Sequence, residues 1–313
     1  MVRVGVGEGR RAGPAGFDGG AETVQLYRFP GRPVNAARRR ERPRDTRTPA
    51  RRAARPIDRY SPAADPFYQP GEAPGPAAAP AGCVVSPDTR RRLGDGGDRV
   101  PPGQTRTRKW PVLHAAAVPA VDRDTWRLTV SRPGDGSGGD TQPLSLDWGA
   151  YAALPRVRVF ADFHCVTRWS RLGTVWEGVS TRTVAELARW DVSSGGYVIA
   201  GGADEFAPGK RWSTNLPLAD FLAPDALLCD AADGVPLPAD HGGPVRLIVP
   251  RLYAWKSAKW LVSLTHSPVD RPGYWERLGY ADRGDPWLVD RVHPDGERFR
   301  DEIGRRGDEA ALI

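Results

Sequence analysis

The chain has 313 residues and a formal net charge of +7, and its basic excess lies at one end. Residues 1–100 contain 19 Arg against 11 acidic residues, whereas residues 101–313 contain 26 Lys and Arg against 27 Asp and Glu. No run of 18 apolar residues is present, which argues against a transmembrane helix, and no apolar segment near the N-terminus predicts a secretory signal. Three cysteines are too few for a disulfide framework, so we expect a soluble, cytoplasmic protein.

The first hundred residues have the composition of a disordered tail. They show no sustained period of 2 or 3.6, and all 11 Trp of the chain lie at or after Trp110. Such a segment cannot bury enough apolar surface to offset the entropy lost on ordering. We therefore expect disorder over residues 1–98 and one folded domain over residues 99–313. The tail has two further interpretations: a basic arm whose arginines bind nucleic acid, which we do not favour, or upstream sequence translated from a wrongly chosen start.

Short strands and few helices follow in the rest of the chain. Alternating or apolar runs predict strands at 126–130, 156–160, 196–200, 226–229, 245–249 and 259–264. Helices are predicted at 180–190, capped by Ser180 or Thr181, and at 216–222, ended by Pro224. Turns are predicted at the Gly-rich segment 134–139 and at Asp233-Gly234. The pattern indicates an α+β domain with mixed sheets and short helices.

Cys165 is the first candidate for chemistry, because it comes where an alternating strand ends and a polar, aromatic loop begins. A strand end can aim a side chain into a cleft from rigid backbone. Arg168 and His164 could favour the thiolate, which is the reactive and metal-binding form. The alternative is that Cys165 is a small buried hydrophobe. We assign Cys229, which lies in an apolar run, to the core, and Cys83 to the tail.

Two further motifs could bind an anion. Arg246 interrupts an apolar strand after His241-Gly-Gly-Pro, so it either faces solvent or is buried and paired, and a buried Arg facing a cleft would suit a phosphate. The segment 256–259 holds two of the four lysines of the chain, with Ser257 beside them. It is either an anion cradle or a solvated turn.

Taken together, these segments resemble the sulfite-oxidase-fold molybdopterin oxidoreductases over about residues 100–290. The resemblance is to small, haem-free bacterial members and to the catalytic subunit of the bacterial envelope methionine sulfoxide reductase. The segments that carry it are Pro101–Gln104, Trp110–His114, Asp124–Leu128, Phe163–Val166 with Trp169 and Ser170, Thr214–Leu218, Gly242–Leu247 and Lys256–Trp260.

The resemblance implies roles for individual residues. Cys165 matches the family's protein ligand of molybdenum, to which the pterin dithiolene adds two further sulfurs. The implied pocket residues beside it are His164, Arg168 and Trp169. The positions that match cofactor contacts of the family are His114, His241, Arg246, Ser257, Ala258 and Lys259. The family's threonine after the middle strand aligns near Gly202, where this chain has none.

The implied activity is two-electron oxygen-atom transfer at molybdenum, rather than tungsten, on a small substrate such as a sulfur compound. Sulfite oxidases gather several arginines around their anion, and only Arg168 is available here, which argues against sulfite. About 48 residues follow Thr265, too few for an immunoglobulin-like dimerisation domain, and residues 1–100 do not suit a cytochrome b5 module. We therefore expect a separate electron carrier: a flavoprotein, a ferredoxin or a haem protein.

Two other classes of function stay open at this point. One is a cysteine-nucleophile enzyme, in which Cys165 attacks the substrate and His114, His241 or His266 is the base. The other is a non-enzymatic module whose basic tail binds nucleic acid. Metal dependence and the accessibility of Cys165 to alkylation distinguish the first from the molybdenum enzyme, and deletion of residues 1–98 tests the second.

Overall fold

Twelve strands and five short helices lie within residues 67, 78–94, 98–133 and 142–292, the part of the chain that the computed structural model describes. All of these residues belong to one unit, residues 56–313. The strands are β1 Val84–Val85, β2 Thr105–Arg106, β3 Arg127–Val130, β4 Leu144–Asp147, β5 Arg156–His164, β6 Trp169–Ser180, β7 Tyr197–Ala207, β8 Lys210–Pro217, β9 Leu227–Ala232, β10 Val235–Pro236, β11 Arg246–Ile248 and β12 Leu261–Ser267. The helices are α1 Pro87–Gly94, α2 Trp148–Ala152, α3 Thr181–Leu187, α4 Leu218–Phe221 and α5 Tyr274–Arg277.

The first sheet is built on the β5–β6 hairpin and has the order β1-β5-β6-β9-β10, with β11 also paired to β9 and β2 to β6. The β1–β5 and β2–β6 pairs are parallel and the others are antiparallel. The hairpin between β9 and β10 turns at Asp233-Gly234, where both residues have positive φ (50° and 79°), as the sequence predicts. This sheet therefore carries both Cys165, just after β5, and Arg246, at the start of β11.

The second sheet has the order β4-β3-β12-β7-β8, with only the β3–β12 pair parallel. Its inner face packs on a large apolar cluster that includes Trp126, Leu128, Val198 and Leu264, all fully buried. The prediction of an α+β domain with mixed sheets and short helices is confirmed. Within the ranges given above, no helix has the length and apolarity needed to cross a bilayer.

Residues 84–94 belong to the folded unit, although the sequence assigned them to a disordered tail. Strand β1 pairs with β5, and the buried Ser86 donates a hydrogen bond to Asp225 at 2.6 Å. Phe67 is also buried and packs edge-on against Trp110 at 5.0 Å between ring centroids. A two-residue strand and an Arg-rich helix are too short to show a period, so only tertiary contacts reveal them. The Arg run at 38–55 and the predicted turn at 134–139 lie outside the described residues.

The longest strand, β6, was not predicted, and neither was β8. β6 pairs with β5 on one side and with β9 on the other, and most of its residues are buried. A strand covered on both faces loses the polar and apolar alternation that identifies a half-buried strand. The helix predicted at 180–190 is confirmed as α3, and Ser180 caps it by accepting a hydrogen bond from the Arg182 amide.

Lys256 forms a buried ion pair that anchors the C-terminal residues, and it does not line the cavity described below. Its ammonium lies 2.6 Å from Glu276, and both side chains are almost fully buried. Glu276 also accepts hydrogen bonds from Trp255 at 3.0 Å and from Thr214 at 2.9 Å. The predicted anion cradle at 256–259 is therefore split, because Lys256 serves the fold and Lys259 faces the cavity.

Candidate functional site

Cys165 opens the tight turn between β5 and β6. Its amide donates to the carbonyl of Trp169 at 2.9 Å, and its carbonyl accepts from the amide of Arg168 at 3.0 Å, so four residues reverse the chain. The thiol is 7% exposed, and its sulfur accepts a hydrogen bond from the Thr167 hydroxyl at 3.1 Å. Burial raises the pKa of the Cys165 thiol, and the bond from Thr167 partly opposes that rise. Burial therefore favours the neutral thiol, and a bound metal would favour the thiolate.

A cavity between the two sheets opens onto Cys165. It encloses about 830 Å³ of space up to its open mouth. Side chains from the β5–β6 turn, β7, β8, β11 and the segment before β12 line it, and its walls are largely aromatic. The aromatic residues that line the cavity include Trp110, Phe163, Trp169, Trp212, Trp255 and Trp260. A largely aromatic cavity that contains a small number of charged and polar groups is typical of a cofactor or small-molecule site.

Arg246 is buried in the wall of the cavity, which decides against the solvent-facing alternative. Its guanidinium donates to the carbonyl of His241 at 2.8 Å and to that of Ser257 at 2.9 Å, and the residue is 2% exposed. Among the described residues, no Asp or Glu lies within ion-pair distance of it. Burial lowers the pKa of Arg246 to about 10, so the group stays protonated at neutral pH. An uncompensated buried cation favours an anionic ligand.

Lys259 lines the same cavity, and Gly242 packs closely against it. Gly242 has φ of +94°, and a Cβ there would come within 2.8 Å of the Cβ of Lys259, so only glycine allows this approach. The Lys259 ammonium donates to the carbonyls of Asp240 at 2.9 Å and Leu113 at 3.0 Å. Burial, followed by the charge of Arg246, lowers its pKa well below the usual value. An anion bound here would restore that pKa and compensate both cations.

Asp204 on β7 is a cavity residue that the sequence analysis missed. It is 4% exposed, and one carboxylate oxygen has no hydrogen-bond partner in the described part of the chain. Burial raises its pKa to about 6. A Cβ at Gly202 would collide with this carboxylate, so glycine at position 202 makes room for Asp204. A carboxylate within the apolar run of β7 was the available signal.

His114 and His241 flank the two cations in different ways. The ring of His114 lines the cavity 3.1 Å from the Lys259 ammonium, and burial, then the charge of Lys259, lowers its pKa to about 3. The ring of His241 is buried against Trp110, with 4.1 Å between centroids, outside the cavity lining. His241 contributes its carbonyl, which fixes Arg246.

Besides His241, three predicted site residues do not present their side chains to the cavity. His164 precedes Cys165 on a strand in which Phe163 and Cys165 face the cavity, so its ring points to the other face and bonds Ser170 at 2.8 Å. The side chain of Arg168 is exposed, because φ of +74° turns this residue outward. Ala258 is buried in the apolar core. The prediction that His164 and Arg168 lie in the substrate pocket is therefore corrected. The predicted residues that do line the cavity are Cys165, Trp169, His114, Arg246, Ser257 and Lys259.

The buried His164 predicts a loss of stability in acid. Burial lowers its pKa to about 4, against about 6.5 when exposed, so the unfolded chain binds a proton between these values and the folded chain does not. Stability should therefore fall as pH drops from about 6.5 to 4, by up to about 3 kcal/mol from this residue. Urea unfolding at pH 7.5 and pH 5 should show a smaller loss in His164→Gln than in the natural protein. Equal losses would contradict the assignment.

Residues 115–275 match the family described as "Oxidoreductase molybdopterin binding domain". The chain is 43% identical over 203 residues to the "Uncharacterized oxidoreductase YuiH" of Bacillus subtilis (strain 168), a match that covers 64% of this chain and 96% of that protein. It is 33% identical over 185 residues to the mitochondrial sulfite oxidase of Homo sapiens, covering 52% of this chain and 33% of that protein.

A third relative is the "Putative protein-methionine-sulfoxide reductase subunit YedZ1" of Azospira oryzae. It is 32% identical over 163 residues, which covers 52% of this chain and 57% of that protein. The chain thus spans nearly the whole of one relative but a third of the sulfite oxidase and just over half of the reductase subunit.

Proposed function

The chain belongs to the oxidoreductase molybdopterin binding domain family, and on that premise we propose that it carries out two-electron oxygen-atom transfer on a small, sulfur-containing substrate. It is an enzyme that binds molybdopterin, with the sulfite-oxidase fold. The observation that carries the proposal is the meeting, in one cavity, of the Cys165 sulfur with two basic side chains, the buried Arg246 and the partly buried Lys259, that form no ion pair with a carboxylate among the described residues.

The side chains in the cavity fit the chemistry of this cofactor. Its phosphate is an anion, which Arg246 and Lys259 would compensate. Its pterin ring carries N–H donors, and the unpartnered oxygen of Asp204 is an acceptor for them. Cys165 would supply the single protein sulfur to molybdenum. The cofactor's own dithiolene sulfurs would supply further ligands.

When bound, the molybdenum cofactor supplies the two-electron redox chemistry of the reaction. The residues of the chain would bind the cofactor and orient the substrate. The short β5–β6 turn fixes the Cys165 sulfur, and Trp169 and Thr167 form the cavity wall beside it, where the substrate would lie. The aromatic walls exclude water, which strengthens the charge interactions of Arg246 and Lys259.

The contacts of Cys165 give no support to a cysteine-nucleophile enzyme. The sulfur is bonded to a hydroxyl, and burial raises the pKa of the thiol, which disfavours the free nucleophile. With a pKa of about 3, His114 would be a weak base at neutral pH. The ring of His266 bonds the carbonyl of Gly195 at 2.8 Å and does not line the cavity.

We propose that electrons are exchanged with a separate carrier, such as a flavoprotein, a ferredoxin or a haem protein. The relative from Azospira oryzae is named as a subunit, which supports an arrangement with a second protein. The cavity gives no role to the side chain of Arg168, so we place an uncharged sulfur compound, such as a sulfoxide, ahead of sulfite as the substrate.

The reaction can be tested in both directions. A sulfoxide that accepts two electrons and two protons yields the sulfide and water, whereas sulfite plus water yields sulfate, two protons and two electrons. Holoenzyme should reduce an ¹⁸O-labelled sulfoxide with a reduced viologen dye and release the label as water. Turnover of neither the sulfoxide nor sulfite, by protein shown to contain molybdenum, would contradict the proposed substrate class.

Arg168→Gln should change kcat/KM by less than about threefold. The side chain is exposed and outside the cavity lining, whereas loss of a charged hydrogen bond to a bound anion costs about 1.5–3 kcal/mol, or roughly 10- to 100-fold. Steady-state kinetics with sulfoxide and with sulfite measure the effect, with Trp169→Leu, which alters the cavity wall, as the comparison. A 10-fold or larger rise in KM for Arg168→Gln alone would return Arg168 to the substrate site.

A further inference from the structure

Residues 268–292, here called the C-terminal strap, contribute to the wall of the cavity. Trp275 and Tyr280 of the strap line the cavity, and the buried pair of Glu276 with Lys256 anchors the strap near its middle. Most of the strap lies beyond residue 275, where the match to the family ends. Its last described residues reach back to the turn that carries Cys165.

Arg291 of the strap binds this turn directly. One nitrogen of its guanidinium donates to the carbonyl of Val166, the residue after Cys165, at 2.7 Å. The other reaches the carbonyls of Pro102 and Gly103 at 3.3 and 3.4 Å. Within the described ranges no carboxylate forms an ion pair with Arg291, so these carbonyls are its hydrogen-bond partners.

Gln104 holds the neighbouring carbonyl of the same turn. Its side-chain amide donates to the carbonyl of Cys165 at 3.1 Å. Arg291 and Gln104 thus fix two consecutive peptide groups, one on each side of the Val166 Cα. They come from opposite ends of the folded unit, and Arg291 also joins the segment of Gln104 through Pro102 and Gly103.

We propose that Arg291 is a positioning residue that, together with Gln104, holds the Cys165 turn in one conformation and so fixes the direction of the cysteine sulfur. This inference rests on the proposed role of Cys165 as the metal ligand. Arg291 itself is not among the residues that line the cavity.

The structure of the turn explains why the contacts from Arg291 and Gln104 are needed. Inside the turn two backbone hydrogen bonds close four residues, and Thr167 and Arg168 are exposed to solvent. From outside the turn, the Thr105 amide donates to the carbonyl of Arg168 at 2.8 Å and holds the end of the turn away from Cys165. Metal sites require their ligands within about 0.5 Å of the productive geometry, so the peptide groups next to the ligand cysteine need a restraint of their own. Charge-assisted bonds from a guanidinium to a carbonyl supply that restraint.

The test compares the holoenzyme with Arg291→Gln, and with Arg277→Gln as a matched control. Arg277 is also a strap arginine that donates to a backbone carbonyl, that of Pro272 at 3.0 Å, but it does not contact the turn. We expect Arg291→Gln to keep molybdenum and pterin, to lower kcat by about 10- to 100-fold with KM nearly unchanged, and to shift or broaden the Mo(V) electron paramagnetic resonance signal. Arg277→Gln should match the natural enzyme in all of these.

An unchanged resonance signal and kcat in loaded Arg291→Gln would overturn the proposal. If this variant does not fold, Arg291→Lys, which keeps one charged donor, and Gln104→Leu should show the same signal shift to a smaller degree, and no shift in either would also overturn it. Absence of molybdenum and pterin from the natural enzyme would instead contradict the role of Cys165 on which the proposal rests.

Discussion

Cys165→Ser should lose redox activity by at least about 10³-fold while keeping its pterin. A serine hydroxyl is a harder, less acidic ligand than a thiol, so it does not replace a thiolate on molybdenum. The contacts that would hold the rest of the cofactor come from Arg246, Lys259 and Asp204, and the substitution leaves these side chains in place. The measurement is dye-linked sulfoxide reduction, with pterin fluorescence determined on the same samples.

Cys229→Ser is the matched control for this substitution. Cys229 is also fully buried, but it lies in the apolar cluster of the first sheet, outside the cavity, and its sulfur donates to the carbonyl of Ala231, a bond that serine can also make. Its activity should stay within about twofold of the natural enzyme once fold is verified. Retained activity in Cys165→Ser, or equal losses in the two variants, would contradict the role of Cys165 as a ligand.

Arg246→Gln should purify with little or no pterin. The guanidinium is a buried cation whose hydrogen bonds within the described part of the chain go to carbonyls, and it also lies over the rings of Trp110 and Phe163. A charged hydrogen bond to an anion contributes about 1.5–3 kcal/mol to its binding, or roughly 10- to 100-fold in affinity. Arg246→Lys keeps the charge but loses the planar fork, so it should retain an intermediate amount. The pterin content of the three proteins, expressed in one host and normalised to folded protein, measures the effect.

Full pterin content in Arg246→Gln would show that the cation does not serve the cofactor. If Arg246→Lys contains as little pterin as Arg246→Gln, the planar fork of donors is required and the positive charge alone is not sufficient. Thermal unfolding of the same samples controls for loss of fold, since the substitution also removes a donor from the carbonyls of His241 and Ser257.

Local sequence features identified the predicted residues that line the cavity. Cys165 ends an alternating strand, Arg246 interrupts an apolar one, and Lys259 is one of four lysines in an Arg-rich chain. His164 shows the limit of this approach, because proximity to Cys165 in sequence suggested a shared site. The alternation of side chains along β5 places His164 on the opposite face, and that rule was available from the sequence.

Other features depend on contacts that no local pattern records. The carboxylate of Asp204 interrupts the apolar run of β7, but its place in the cavity becomes apparent only once the fold brings its unpaired oxygen there. Arg291 lies 126 residues from Cys165 in sequence. The segment of helix α1 is held by two long-range hydrogen bonds, from the Asp162 amide to Thr89 and from Ser86 to Asp225. Long-range hydrogen bonds of this kind determine structure without leaving a period or a motif.

The most direct test is the content of molybdenum and pterin in the natural full-length protein, made in a host that synthesises the cofactor. Elemental analysis and fluorescence of the oxidised pterin should each give close to one equivalent per chain, because the cavity presents one cysteine sulfur and one pair of uncompensated cations. Protein that is folded yet contains neither molybdenum nor pterin would contradict the assignment of this cavity to the cofactor.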